Sequence, residues 1–119
     1  MRIERAPFFR GRFTLPGDKS ISHRAAILGA MAEGTTRVRN YSSAADCAST
    51  LACLRGLGVE VRREGTDVAI ESGGLEAWRA PAVLDAENSG STIRMLAGAL
   101  AGRSFRSVLT GDESLRRRP

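Results

Sequence analysis

Apolar and polar residues take up a regular period only from Arg12 onward; residues 1–11 carry little pattern. Arg12-Phe13-Thr14-Leu15 alternates and predicts a short strand, stopped by Pro16-Gly17. From Ser20 the period becomes helical. Ile21, Ala25, Leu28 and Ala32 fall at i, i+4, i+7 and i+11, which is one apolar stripe, and Gly34 ends it. Residues 35–41 alternate and contain β-branched side chains, so they predict a second strand. Ser43, with Asp46 three residues on, has the form of a capping signature. It opens a helix with Cys47, Leu51, Leu54 and Gly58 along one face, and Gly56 and Gly58 supply the stop. Residues 59–63 and 67–71 predict a hairpin across Gly65. The predicted order over residues 12–72 is βαβαββ, one complete unit.

Residues 72–81 read as a loop, in which Trp78 is expected to form a small satellite cluster. Residues 82–86 predict a buried strand. Asn88-Ser89-Gly90-Ser91-Thr92 leads into a helix carrying Ile93, Met95, Leu96, Ala99 and Leu100, closed by Gly102. Residues 104–110 predict a further strand, and the chain then runs to Arg116-Arg117-Arg118-Pro119 in what reads as loop. Residues 82–119 therefore look like the start of a second unit. The two strand-to-helix turns also match locally. Asp18 to Arg24 can be laid on Asn88 to Arg94, each with a side-chain acceptor, small polar residues and an arginine six positions later. An unfinished second unit implies an incomplete protein.

Composition narrows the class. The chain has 119 residues, 42% of them hydrophobic and 26% charged, enough for one core and too patterned for disorder. No apolar run approaches the roughly 18 residues that span a bilayer, the N-terminus has no signal-peptide stretch, and two cysteines are too few for a disulfide scaffold. The expectation is a cytoplasmic protein. A net charge of +5 suits an anionic partner without choosing between small phosphate esters and nucleic acid. Seventeen of the 18 basic residues are arginine, leaving Lys19 as the only lysine. That is either a surviving surface lysine or a position that needs a compact ammonium whose proton can be removed.

Three places could carry chemistry. A helix starting near Ser20 would present unpaired amides at its positive end, with Ser20 and Arg24 on one face and Lys19 just outside. On spacing alone this is either an anion site or an ordinary capped helix. Asn88 to Thr92 sets small hydroxyls and Gly90 at a second helix start, where the missing Cβ would let a ligand reach the backbone, or where the segment is a plain cap. The terminal arginines read most simply as a solvated face. His23, the only histidine, has no partner at metal-ligand spacing, and Cys47 and Cys53 suit core packing.

With these residues in place, Leu15-Pro16-Gly17-Asp18-Lys19-Ser20-Ile21-Ser22-His23-Arg24-Ala25 resembles the first signature of the 5-enolpyruvylshikimate-3-phosphate synthase family. Asn88 to Arg94 resembles its second, and Leu109 to Pro119 is similar to a third segment. The resemblance implies an α/β fold with mixed sheets, the inside-out α/β barrel of the enolpyruvate transferases. Such a barrel has two lobes of three βαβαββ units each, and residues 1–119 cover about one and a half units of the first. It implies transfer of the enolpyruvyl group of phosphoenolpyruvate to the 5-hydroxyl of 3-phosphoshikimate, with phosphate released, on the way to chorismate and aromatic amino acids. No metal or organic cofactor is implied.

Residue by residue, the resemblance implies that Lys19 contacts both substrates at the reacting centre, where a desolvated amine can hold charge or shuttle a proton. Ser20 and Arg24 would bind 3-phosphoshikimate. Gly90, through its backbone, and Arg118 would bind phosphoenolpyruvate, leaving Arg116 and Arg117 as surface charges. Asp46 and Asn88 fall near the site without an assigned role. Ser91 stands where threonine is commoner, and Met95 where proline or leucine is. The second lobe, with its acidic residues and further arginines, is absent, so these residues alone are expected to be inactive.

The related transferase acting on UDP-N-acetylglucosamine has asparagine after the lysine and a reactive cysteine before the clamp arginine; this chain has Ser20, and no cysteine in residues 103–118. A small basic RNA-binding module of βαβαββ type is the alternative of another class, opposed by 5% aromatics and by the expectation that no basic–aromatic stretch offers stacking surfaces. A third alternative is an inert piece of a broken gene. The expected partners are the two small substrates, without nucleic acid or membrane.

Overall fold

A computed structural model describes residues 4–81 and 83–118. Asp18 starts the first helix by accepting a hydrogen bond from the Ile21 amide at 2.7 Å, and α1 runs Lys19–Met31. There follow β1 (Glu33–Val38), α2 (Ala45–Gly56), β2 (Glu60–Glu64) and β3 (Asp67–Gly73). The three strands form one antiparallel sheet in the order β1-β3-β2. Gly65, at φ 59, makes the tight β2–β3 hairpin that the sequence predicts. A 3₁₀ turn at Leu75–Ala77 leads to β4 (Leu84–Asp85), α3 (Gly90–Leu100), β5 (Leu109–Thr110) and α4 (Glu113–Arg116). β4 and β5 pair in parallel, with α3 as the crossover between them. The chain is thus α/β with mixed sheets, and no helix among the described residues is long and apolar enough to cross a membrane.

The core lies between the sheet and the helices. Val61, Val68 and Ile70 supply the sheet's inner face, Ala26, Ile27 and Ala30 the α1 face, and Cys47, Leu51 and Leu54 the α2 face. Leu84, Leu96 and Leu100 extend the same cluster into the second half, so both halves share one core. Trp78 belongs to it as well. The indole is 4% exposed and donates to the Ala30 carbonyl at 3.0 Å, so the expected satellite cluster does not form.

Several expectations need correction. Residues 12–15 form no strand. A strand needs a hydrogen-bonding backbone neighbour, and this stretch is tied instead by the Asn40 side-chain NH₂, which donates to the Leu15 carbonyl at 3.3 Å. Phe13 and Leu15 stand 67% and 73% exposed. Ser43 does not cap α2, whose cap residue is Ala44 without a side-chain bond; Asp46 turns to Lys19 instead. The strands expected at 82–86 and 104–110 shorten to two residues each, with Ala82 outside the described residues. Residues 113–116, read as loop, close into α4 because the Asp112 side chain accepts from the Leu115 amide at 2.7 Å. Pro119 lies outside the described residues.

The largest correction is the orientation of α1. The stripe Ile21, Ala25, Leu28 and Ala32 does not face the core: Ile21 and Leu28 are exposed, and Ser22, His23, Ala26, Ile27, Gly29 and Ala30 are buried. Close approach explains the choice. A Cβ on Gly29 would lie 2.9 Å from Thr36 Cγ2, so α1 sits against β1 at a distance that small residues allow and Leu28 would not. Ile21 and Leu28 consequently forgo the roughly 1.5–3 kcal/mol that full burial of such a side chain supplies.

His23 is the polar exception in this interior. It is fully buried, and its Nδ1 lies 2.6 Å from Thr50 Oγ1. Burial pushes its pKa below the ordinary 6.5; Asp46 pulls upward, and the charges of Lys19 and Arg24 add to the depression.

Two measurements test this packing. Gly29→Ala is expected to lower stability by about 1 kcal/mol in urea melts, because overpacking against a stiff threonine outweighs alanine's helix preference. Equal or higher stability would show that α1 has room to spare. For His23, the unfolded imidazole takes up a proton before the folded one does. Stability is then complete above pH 6.5 and falls as pH drops from there through the depressed folded value. Urea melts at pH 7.5 and 5.5 check this, and the difference between them should shrink in His23→Gln.

Candidate functional site

The first turns of α1 and α3 open into one cavity of about 470 Å³, lined by Lys19, Asp46, Asn88, Gly90, Ser91, Arg94 and Arg118. Each turn is built by a short capping residue. Asp18 accepts the Ile21 amide, and Ser89 accepts the Thr92 amide at 3.1 Å. Lys19 is therefore the first residue of α1 rather than just outside it. The local match between the two turns also slips by one position: the residue equivalent to Asp18 is Ser89, which frees Asn88 for other work. The first amides of α3, those of Gly90 and Ser91, precede the helical hydrogen-bond ladder, where the helix dipole is positive.

Gly90 is buried among cations. A Cβ there would meet Arg94 Nη1 at 2.8 Å and Arg118 Nη1 at 3.3 Å, so the glycine leaves space beside both guanidinium groups. Arg118 is held by donating to Asn88 Oδ1 at 3.1 Å and to Ser114 Oγ at 3.4 Å. Asn88 in turn donates to Asp112 Oδ2 at 2.6 Å. That hydrogen bond, with the Leu115 amide, holds the Asp112 carboxyl below its usual range. The chain Asp112–Asn88–Arg118 thus aims a guanidinium from the end of α4 across to the mouth of α3.

Lys19 Nζ donates to Asp46 Oδ2 at 2.7 Å. This hydrogen bond raises the lysine pKa and lowers that of Asp46. Lys19 is half exposed and fully charged here. The expectation of a desolvated amine is not met in this structure, because the amine is paired with a carboxylate and open to solvent. The cavity holds three cationic side chains, and its one carboxylate, Asp46, is already engaged. Among the described residues no group of three or more His, Cys, Asp or Glu could hold a metal ion.

The sequence-predicted residues divide into two sets. Lys19, Gly90 and Arg118 come together at the cavity, with Asp46 and Asn88 beside them. Ser20 and Arg24 stay exposed on α1 and do not line it. Arg94, Asp112 and Ser114 had no signal of their own beyond their place inside the matched segments. Arg117 pairs with Glu113 at 3.3 Å and stands away from the cavity, as does Arg116. Burial pushes both thiols up, Cys53 to about 11, which opposes a reactive-cysteine chemistry. The expectation of no basic–aromatic stretch fails at the N-terminal arm, where Phe8, Phe9 and Phe13 alternate with Arg10 and Arg12 and are exposed. Phe9 and Phe13 stack on each other, with ring centroids 5.7 Å apart.

Comparison with known proteins agrees with this fold. Residues 5–119 match the family profile of EPSP synthase (3-phosphoshikimate 1-carboxyvinyltransferase). The chain is 56% identical over 119 residues to a 3-phosphoshikimate 1-carboxyvinyltransferase of Solibacter usitatus, covering 99% of this chain and 28% of that protein. It is 49% identical over 120 residues to one of Bacillus velezensis, covering 100% of this chain and 28% of that protein. The solved EPSP synthase of Acinetobacter baumannii superposes with a TM-score of 0.86 at 44% identity, over 92% of this chain and 25% of that one. The chain spans little more than a quarter of the length of these relatives, and it belongs to the EPSP synthase family.

Proposed function

We propose that this chain supplies one wall of a cytoplasmic site that transfers the enolpyruvyl group of phosphoenolpyruvate to the 5-hydroxyl of 3-phosphoshikimate, releasing phosphate, in the route to chorismate and aromatic amino acids. The observation that carries the reading is the convergence of Lys19, Gly90 and Arg118, from three separate segments, on one cationic cavity. Phosphoenolpyruvate brings a phosphate and a carboxylate. The open amides of α3 with the Gly90 gap suit one anion, and the Arg118 guanidinium suits the other with two parallel donors. Lys19, as a charged ammonium, sits where it can leave Asp46 for a substrate oxygen at small cost, since an exposed ion pair is worth about 0–1 kcal/mol. Ser20 and Arg24, on the open side of α1, would take 3-phosphoshikimate from that side.

Turnover would need the rest of the family's length. Stabilising charge that develops in the transition state is usually the largest catalytic contribution, and half a ring of charges cannot enclose the reacting atoms. The purified 119-residue chain is therefore expected to release no phosphate from phosphoenolpyruvate plus 3-phosphoshikimate above the blank rate. Measurable release would refute its inactivity. Gly90→Ala is expected to weaken phosphoenolpyruvate binding about tenfold in calorimetry, because its methyl would displace the guanidinium ends of Arg94 and Arg118. Its melting should hardly change, since the atoms the methyl meets are the far ends of long, flexible side chains that can shift by a few tenths of an ångström. Unaltered affinity would take Gly90 out of the binding surface.

A further inference from the structure

Behind the cavity lies a buried polar chain that no part of the proposed chemistry uses. His23 Nδ1 lies 2.6 Å from Thr50 Oγ1, Thr50 Oγ1 lies 2.7 Å from Thr92 Oγ1, and Thr92 Oγ1 donates to Ser89 Oγ at 2.7 Å. His23, Thr50, Thr92 and Ser89 are each fully buried. The chain begins one turn into α1, crosses α2, and ends on the residue that caps α3. Both threonine hydroxyls also reach the Asp46 carbonyl, at 3.4 Å from Thr50 and 3.2 Å from Thr92. Three helices are thereby joined directly beneath Lys19, Asp46 and Gly90.

Proton counting gives the chain a direction. Each hydroxyl has one hydrogen to give. If His23 carries its proton on Nδ1, the imidazole donates to Thr50, Thr50 to Thr92 and Thr92 to Ser89, and every short contact is filled. The Ser89 oxygen is then doubly engaged, by the Thr92 hydroxyl and by the Thr92 amide it caps. His23 Nε2, which is buried and has no partner, is left as a bare acceptor. The hydrogen left over in this direction is that of Ser89, on a hydroxyl that can rotate. With the proton on Nε2 instead, the chain must run backwards and the hydrogen left over is a buried ring N–H, fixed in direction with nothing to donate to, an arrangement that native interiors rarely tolerate.

We infer that His23 is a positioning residue for the anion cavity: by donating from Nδ1 through Thr50 and Thr92 to the Ser89 cap, it fixes the first turn of α3, and with it the Gly90 and Ser91 amides, relative to Lys19. The inference rests on the proposed function for what those amides bind, but the geometry of the relay stands apart from it. Packing alone would be served equally well by any ring of similar size. The relay requires a donor at the Nδ1 position.

The test uses the 119-residue chain, labelled with ¹⁵N. In the unmodified protein at pH 7.5, the nitrogen shifts of His23 should show a protonated Nδ1 and a bare Nε2; the opposite tautomer overturns the relay without recourse to any variant. His23→Phe keeps a ring and removes the donor, and should move the amide resonances of Gly90 and Ser91 and weaken phosphoenolpyruvate binding about tenfold. His23→Asn, whose side-chain NH₂ falls near the Nδ1 position, should bring both back toward the parent values. Gly90 and Ser91 resonances that stay put in His23→Phe, or move as far in His23→Asn, overturn the inference. If the parent chain itself fails to bind phosphoenolpyruvate, the functional reading loses its support, while the tautomer and the amide shifts still decide the positioning role.

Discussion

One residue at the start of α2 ties the two helix mouths together. The Asp46 carboxylate holds Lys19 of α1 at 2.7 Å, while its carbonyl lies 3.2 Å from the Thr92 hydroxyl of α3. The two attachments differ in kind. The carboxylate pair is half open to water and contributes little to stability. The carbonyl belongs to a buried cluster in which each hydrogen bond nets about 1 kcal/mol, and a broken one leaves a buried group costing roughly 1–3 kcal/mol. Position is therefore set by the buried side of Asp46 and charge by the exposed side. On the proposed reading, that division would let Lys19 turn to a substrate without disturbing the frame that presents Gly90.

What the sequence made legible were residues whose role is written in their type. A lone lysine among seventeen arginines, a glycine at a helix start and an arginine before a proline each stand out in one dimension, and these three meet at the cavity. The hairpin at Gly65 and the α2 face were legible for the same reason, since a positive φ and a helical stripe are local properties. The supporting residues were not. Thr50 and Thr92 lie 42 positions apart, and Asn88 finds Asp112 across 24, so nothing local marks them as partners. Asp46 was read as a helix-cap acid when its partner was Lys19, 27 residues earlier.

The misread face of α1 shows why apolar periodicity is an incomplete guide. A stripe rule ranks Ile21 and Leu28 above Ser22, Ala26 and Gly29, because it counts side-chain hydrophobicity and ignores the gap to be filled. Here the gap is narrow. Thr36 touches the space where a Gly29 Cβ would be, and Ser22 is useful inside because its hydroxyl donates to the Asp18 carbonyl and accepts the Ser42 amide. His23 can be buried only because Thr50 meets it. Small and polar residues won that face by fit and by satisfied hydrogen bonds, leaving an apolar edge outward on the same helix.

The same cavity also shows why cations brought together need not act strongly on an anion. Lys19, Arg94 and Arg118 face open solvent, where two unit charges about 4 Å apart interact by only about 1 kcal/mol; at the effective dielectric of about 20 found near a protein surface the figure is about 4. The difference comes from excluding water, with no change in the residues. A second wall closing over this cavity would strengthen every contact already present while adding charges of its own. On the proposed reading, a rigid, buried frame beside a screened, exposed set of cations is what one wall of such a site should look like, with its geometry prepared in advance and its electrostatics strengthened only by enclosure.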